Sequence, residues 1–317
     1  FVKRCGRSEA LFLDKFYDIR YTSLYIIAVQ KGCLFGPFAD RMRWLYMKIL
    51  VAGLGLIGGS MAKALKRGGY CADGYDRAEV VAAAVAAGAI ERAASSFAEY
   101  DVVFVALPPD AAMKFIGENH FCDGAIVADI CGVKEVIERY VYAVPRNFRY
   151  VGCHPMAGKE VSGFFNSCED LFDGASVIMT DAARTDTEAV RLLETLFRKM
   201  GFARIVHCSA QEHDKKIAYT SQLAHIVSNA YVKSETANGY RGFTGGSFQD
   251  MTRIAGVDEK VWTRLYFLNR KNIVQELRCL IDHLGQYAAV LDGDDEEALA
   301  YLLREGRLRK EELDGQK

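Results

Sequence analysis

The sequence predicts a doubly wound α/β domain followed by an all-helical C-terminal domain, and three observations carry that reading. From Met47 onward, short continuous apolar runs alternate with amphipathic segments. A loop with regularly spaced glycines joins the first run to the first helical pattern. After about Ser209 the short runs stop, and only long helical patterns follow.

The runs KILVAG, ADGYD, DVVFVAL, GAIVADI, RYVGCH, ASVIMT and ARIVHC are short and unbroken, as expected of strands buried on both faces. Between several of them lie SMAKALKRGG, AEVVAAAVAAGA, VKEVIERYVYAV and TEAVRLLETLFRKMG, whose apolar residues recur at helical spacing. This assigns residues 47–209 to the sheet domain and 210–317 to the helical one. The helical part, EHDKKIAYTSQLAHIVSNAYVKSE and KVWTRLYFLNRKNIVQELRCLIDHLGQYAAVL, carries more apolar residues than one stripe needs. Trp262, Leu265, Tyr266, Phe267, Leu268 and Ile273 among them point to helix-on-helix burial that includes a second copy, so a homodimer is expected. Residues 1–46 hold 8 Lys or Arg against 4 Asp or Glu and show no sustained period. They are expected to lie outside the fold, as an upstream start before Met47 or as an ordered-poor extension.

Of the 317 residues, 50% are hydrophobic and the formal net charge is -1, which gives no electrostatic case for a nucleic acid or an anionic membrane. Small molecules are the expected partners. Nine cysteines, scattered singly and odd in number, fit neither a disulfide framework nor a metal site. A reducing compartment, a cytoplasmic location and no metal are therefore expected.

In VAGLGLIGGS the glycines Gly53, Gly55 and Gly58 have G-x-G-x-x-G spacing directly after a strand and at the start of a helix. Gly53 permits the tight turn, Gly55 lets the backbone approach a pyrophosphate, and Gly58 lets helix and strand pack closely; Leu56 and Ile57 open the helix whose amides face the phosphates. The next strand ends in Asp76, 18 residues after Gly58, where a carboxylate binds the ribose hydroxyls and repels a 2'-phosphate. This Rossmann-type arrangement favours NAD, although Arg77 beside Asp76 softens the preference. Leu107 and Pro108, at the end of DVVFVALPP, either line the cofactor crevice or simply end the strand.

Four features offer chemistry. In GCHPMAGKE, His154 ends an apolar run at the carboxyl edge of the sheet, where a base of near-neutral pKa is suited to take a hydroxyl proton as hydride leaves the same carbon. ADICGVK is a second strand-to-helix turn at that edge. In YTSQLAHIVSN, Ser221, His225 and Ser228 share one helix face, either as a solvated stripe or as part of the site. GGSFQDMTRIAG carries Asp250 and Arg253, and the arginine either clamps a substrate carboxylate or pairs with Asp250 or another acid.

The order G-x-G-x-x-G, D-x-C-G-V-K, H-P-M-A-G-K-E, H-D at His213 and Asp214, S-Q-L-A-H and G-G-S-F-Q-D-M-T-R-I-A, over about residues 47–290, resembles the prephenate dehydrogenase family, which includes the arogenate dehydrogenases of tyrosine biosynthesis. The resemblance implies NAD-dependent oxidative decarboxylation of prephenate to 4-hydroxyphenylpyruvate, with His154 taking the hydroxyl proton. It further implies that Arg253 binds a substrate carboxylate, that Ser221 and His225 face the substrate, that Lys159 and Glu160 form a gating or side-chain-recognising pair, and that Gly246 makes a backbone contact. Two departures bear on substrate choice. Where many relatives have a serine that assists the ring hydroxyl, this chain has Gly132, so the role passes to water, backbone or Cys131. Where relatives often read SHLPH, Gln222 and Ala224 stand here. Prephenate and arogenate, which differ by a keto group against an ammonium, stay open. Too few residues follow the last long helix for an appended regulatory domain, and 1–46 are too short for a fused mutase. Tyrosine inhibition, if it occurs, is expected at the active site. Competing readings are a β-hydroxyacid dehydrogenase, against which the HPMAG histidine argues, and a non-catalytic NAD sensor, against which the joint retention of His154 and Arg253 argues.

Overall fold

The computed structural model describes residues 47–181 and 184–315, so the expectations for residues 1–46 lie outside the described residues. Seven strands form one sheet: β1 (Ile49–Ala52), β2 (Ala72–Tyr75), β3 (Val102–Val105), β4 (Ile126–Asp129), β5 (Arg149–Pro155), β6 (Ser176–Thr180) and β7 (Arg204–Cys208). They match the seven apolar runs, and their order is β2-β1-β3-β4-β5-β6-β7. All pairs are parallel except β5 with β6, where Gly152 to Pro155 run against Val177 to Thr180. The chain switches direction across the sheet between β1 and β3, which opens the crevice where doubly wound folds bind ligands.

Every residue of β1, β3 and β4 is buried, because helices cover both faces. Each such Val, Ile or Leu contributes about 1.5–3 kcal/mol of hydrophobic stabilisation. The covering helices are α1 (Leu56–Arg67), α2 (Ala78–Ala86), α3 (Pro109–Glu118), α4 (Glu135–Tyr142) and α5 (Thr187–Lys199). Of these, α3 did not stand out in the sequence; Pro109 at its first turn sets the helical φ.

The C-terminal part is helical as expected, but its helices are interrupted. Helix α6 (Ala210–Ile217), capped by the Ser209 hydroxyl accepting from the Glu212 amide, leads into one π-helical turn, Ala218–Leu223, and then α7 (Ala224–Tyr231). After α8 (Gly246–Thr252), the apolar stretch from Lys260 onward is not one helix. It breaks at Asn269 (φ -110°, ψ 18°) into α9 (Glu259–Leu268) and α10 (Arg270–Asp292), and α11 (Glu296–Asp314) follows. Of the 23 residues of α10 only Ile273 is buried, and none of α11 is. No helix among the described residues is long and apolar enough to cross a membrane.

Candidate active site

The glycine loop folds as its spacing requires. Gly53 has φ 93°, and a Cβ there would stand 2.3 Å from the Ala106 carbonyl oxygen; a Cβ on Gly58 would stand 1.7 Å from the Gly53 carbonyl oxygen. Both positions therefore exclude side chains. Gly55 is different: a Cβ would meet nothing within 4 Å, so the loop leaves open space above the start of α1, where Leu56 and Ile57 present the first amides. That open space at a helix N-terminus fits a pyrophosphate. Asp76 directly follows β2, with its carboxylate held by the Leu54 and Arg77 amides at 2.6 and 2.7 Å, which fixes it beside the loop. Arg77 is turned outward, its Nη1 3.4 Å from Glu79. Pro108 is the N-cap of α3, and the Leu107 carbonyl accepts from the Cys131 thiol at 3.3 Å. Cys131 is thus buried and committed to Leu107, which removes it as the substitute for a serine at 132.

His154 stands at the carboxyl end of β5, as its place in the sequence implies, and it heads a chain of hydrogen bonds. Its Nδ1 is 2.9 Å from His213 Nε2, and His213 Nδ1 is 2.7 Å from Asp214 Oδ1. Asp214 also accepts from the backbone amides of Lys134 (2.8 Å) and Glu135 (3.0 Å), the first amides of α4. Both its oxygens face N–H donors, so it acts only as an acceptor and caps α4 from another element. The proton positions follow from this network. His213 carries its proton on Nδ1, its Nε2 accepts from His154 Nδ1, and the lone pair of His154 is left on Nε2. That nitrogen has no hydrogen-bond partner among the described residues. A Cβ on Gly132 would lie 3.6 Å from it, so the missing side chain at 132 leaves room beside the base.

Burial, then His213 and the Lys134 ammonium, push His154 well below its ordinary pKa of 6.5. His213 is also lowered, chiefly by burial, against the pull of Asp214. Two consequences follow with the same sign. Free-enzyme kcat/KM is expected to stay level through pH 6.5 and to fall only where His154 finally takes a proton, which a pH–rate profile measures. Stability is expected to be full above 6.5 and to decline as pH drops from there toward the depressed native value, because the unfolded chain binds the protons first.

His154 opens onto a cavity of about 680 Å³ between the HPMAG turn and the helical part, whose lining includes Lys159, Glu160, Ser221, His225, Arg253 and Trp262. The sequence candidates therefore converge, with two exceptions. Gly246 begins α8 and is not among the lining residues, and Ser228 is buried with its hydroxyl donating to the Met251 carbonyl at 2.6 Å. The helix face read as a possible solvated stripe instead holds the arginine turn in place: His225 Nδ1 bonds the Ile254 carbonyl at 3.0 Å, and Asn229 the Ala255 carbonyl at 3.0 Å. His225 also packs on Trp262, with ring centroids 4.1 Å apart. Arg253 pairs with Glu160 at 2.6 Å rather than with Asp250, and both side chains line the cavity and are more than half exposed. Lys159 donates to the Cys168 sulfur at 3.2 Å. Among the described residues no group of His, Cys, Asp and Glu has the arrangement of a metal site. The residues that sequence reasoning placed in a motif without a role are His213, Asp214 and Lys134.

Known proteins resemble this chain in both of its parts. Residues 61–207 match the family model described as the nucleotide-binding domain of prephenate dehydrogenase, and residues 209–305 match its dimerization domain. The chain is 32% identical over 267 residues to the prephenate dehydrogenase of Bacillus subtilis (strain 168), covering 79% of this chain and 72% of that protein. Its structure is similar to that of A. aeolicus prephenate dehydrogenase in complex with hydroxyphenyl propionate and NAD+, at 27% identity and a TM-score of 0.74 over 84% of this chain and 98% of that one. It is also similar to Synechocystis arogenate dehydrogenase, at 25% identity and a TM-score of 0.72 over 84% and 100%. With one family model over residues 61–207 and the other over 209–305, which together hold the residues of the cavity just described, the chain belongs to the prephenate dehydrogenase family.

Proposed function

We infer that this chain is an NAD-dependent prephenate dehydrogenase, producing 4-hydroxyphenylpyruvate and carbon dioxide. The observation that carries the reading is the His154–His213–Asp214 chain, which aims an unprotonated Nε2 at a cavity that also holds an arginine. The glycine loop and Asp76 would hold NAD, which would supply the hydride acceptor for the ring carbon that bears the hydroxyl. The residues of this chain do the rest. His154 takes the hydroxyl proton, and the positive charge it gains passes along the hydrogen bond toward His213 and the Asp214 carboxylate. Arg253 holds a substrate carboxylate once Glu160 yields its place, and Ser221 and His225 border the ring from α7 and the π turn. Loss of the ring carboxylate as carbon dioxide makes the ring aromatic and drives the reaction, so the protein mainly positions and polarises.

Gly53, Gly55, Gly58, Asp76, Leu107 and Pro108 would hold the cofactor, and the carboxylate of Asp76 disfavours a 2'-phosphate. The sheet part, 47–209, is the cofactor half, and 210–317 provides the substrate wall and the dimer contact. The homodimer is supported by the dimerization-domain match and by exposed Phe267, Ile281, Leu284 and Leu291, which a single copy leaves uncovered. A cytoplasmic location is supported by seven described cysteines that are all free.

The test is NADH or NADPH formation with prephenate and arogenate offered in parallel, each with NAD and NADP. Turnover of prephenate with NAD is expected; turnover of arogenate alone would reassign the substrate within the family, and Glu160 would then be the natural partner of its ammonium. Silence on both, with NAD bound, would refute the reading. Arg253→Ala is expected to raise KM by about 10- to 100-fold with a smaller change in kcat, because it removes a charge-assisted clamp made before the reaction starts.

A further inference from the structure

We propose that Asn269, at the break between α9 and α10, is a positioning residue that sets both the base and the substrate wall of the active site. The inference rests on His154 being the base, and it names a residue 115 positions away as its support. Asn269 is 3% exposed, and its side chain is fully used. Its Nδ2 donates to the Asp214 carbonyl at 2.7 Å and to Gln222 Oε1 at 2.7 Å, while its Oδ1 accepts from Asn272 Nδ2 at 2.7 Å. One arm therefore grips the residue that orients His213, and through it His154. The other grips buried Gln222 within the π turn Ala218–Leu223.

The π turn has its own consequence. A widened turn shifts every later side chain around the helix axis, and such turns occur mostly at functional sites. Here it lets Ser221 and His225 line the same cavity as His154, while Gln222 between them points back into the protein toward Asn269. A single amide thus ties the reacting nitrogen and the cavity wall to the start of α10. The residue that makes these bonds is also the one that stands off the helical path (φ -110°, ψ 18°), where α9 ends and α10 begins.

The test uses the full chain after its wild-type turnover has been established, so a failure of the parent reading shows first and separately. Asn269→Ala is expected to lower kcat by about 10- to 100-fold per folded molecule, with NAD affinity changed by less than about twofold. In an Asp214→Asn background the same substitution is expected to lower kcat little further, because both act on one chain of groups. Gln222→Ala, which cuts only the arm to the wall, is expected to raise KM more than it lowers kcat. If Asn269→Ala fails to fold, the isosteric Asn269→Asp serves, since it keeps a bond to a reoriented Gln222 amide but sets a carboxylate against the Asp214 carbonyl; the same fall in kcat is expected. Wild-type kcat in whichever variant folds, or losses that multiply with those of Asp214→Asn, would overturn the proposal.

Discussion

Asp214→Asn is expected to lower kcat by about 1,000- to 10,000-fold while leaving NAD affinity near that of the wild type. The reason lies in a proton's position rather than in a lost charge. Asp214 offers two acceptor oxygens to three N–H donors, and this forces the His213 proton onto Nδ1 and the His154 lone pair onto Nε2. An asparagine presents its NH2 group to one side of that cluster. If it donates to His213 Nδ1, the proton of His213 moves to Nε2, His154 must accept at Nδ1, and its Nε2 then carries hydrogen where the substrate proton should go. The equivalent reversal in a serine protease triad has an effect of about 10,000-fold. The first orientation also takes the acceptor from the Lys134 amide, which shares the same oxygen; turned the other way, the NH2 group faces the Glu135 amide, and either way a buried donor is left unmet at about 1–3 kcal/mol and α4 loses part of its cap. Single-turnover rates beside NAD titration and thermal unfolding separate these effects. His154→Asn should lose about 100- to 10,000-fold as well, and the double variant should be no worse than the poorer single one. An Asp214→Asn enzyme with wild-type turnover would show that the chain does not hold the base.

The sequence announces one half of this site more clearly than the other, and the reasons are physical. The cofactor half is written in local rules: three glycines whose steric needs are met within a few residues, and a carboxylate at the end of the next strand. His154 is equally local, since it ends an apolar run at the sheet edge. Arg253 and Glu160 are visible as candidates, but not as partners, because 93 residues separate them and no periodicity links them. The His213–Asp214 pair left a faint trace that pattern reading passes over. The residue before helix α4 is Lys134, whose side chain does not cap it, so the amides at its start are met from elsewhere. Asp214 meets them from a helix about eighty residues away.

The C-terminal helices diverge from their pattern for a similar reason. The apolar spacing of KVWTRLYFLNRKNIVQEL runs unbroken through Asn269, and that of KKIAYTSQLAHIVSN runs through the π turn, since one irregular residue hardly disturbs a period of 3.6. The interruptions come from buried amides that bond across elements, Asn269 to Gln222 and to Asp214, and local propensity does not register such bonds. The exposed apolar face of α10 is legible in the sequence as an excess, and in the structure as Ile281, Leu284 and Leu291 left uncovered.

Lys134→Met is expected to destabilise the protein by about 3–5 kcal/mol, a fall in Tm of roughly 10 °C, and to move the acid limb of kcat/KM upward. Lys134 and Asp129 are both fully buried and directly paired, and Tyr150 donates to the second Asp129 oxygen at 2.6 Å. Removing the ammonium strands a carboxylate in the core with only the Tyr150 hydroxyl and the Cys131 amide to hold it, and it also frees the Cys153 carbonyl, which Lys134 bonds at 2.6 Å one residue before His154. The double change Asp129→Asn with Lys134→Met should recover much of the stability, since a neutral amide still meets Cys131 and Tyr150, though the Cys153 carbonyl stays without its donor. The pH effect has a separate origin. Lys134 is the cation that disfavours protonation of both His154 and His213, while Asp214 and Asp129 favour it on His213. Without the ammonium both histidines titrate higher, so activity disappears earlier as pH falls. In the double variant Asp129 is neutral too, and the limb should return part of the way. A limb that stays put in both variants would confine Lys134 to a structural role, whereas a limb that moves in this order would mean that the Lys134 ammonium, opposed by Asp129, also helps to keep the base unprotonated.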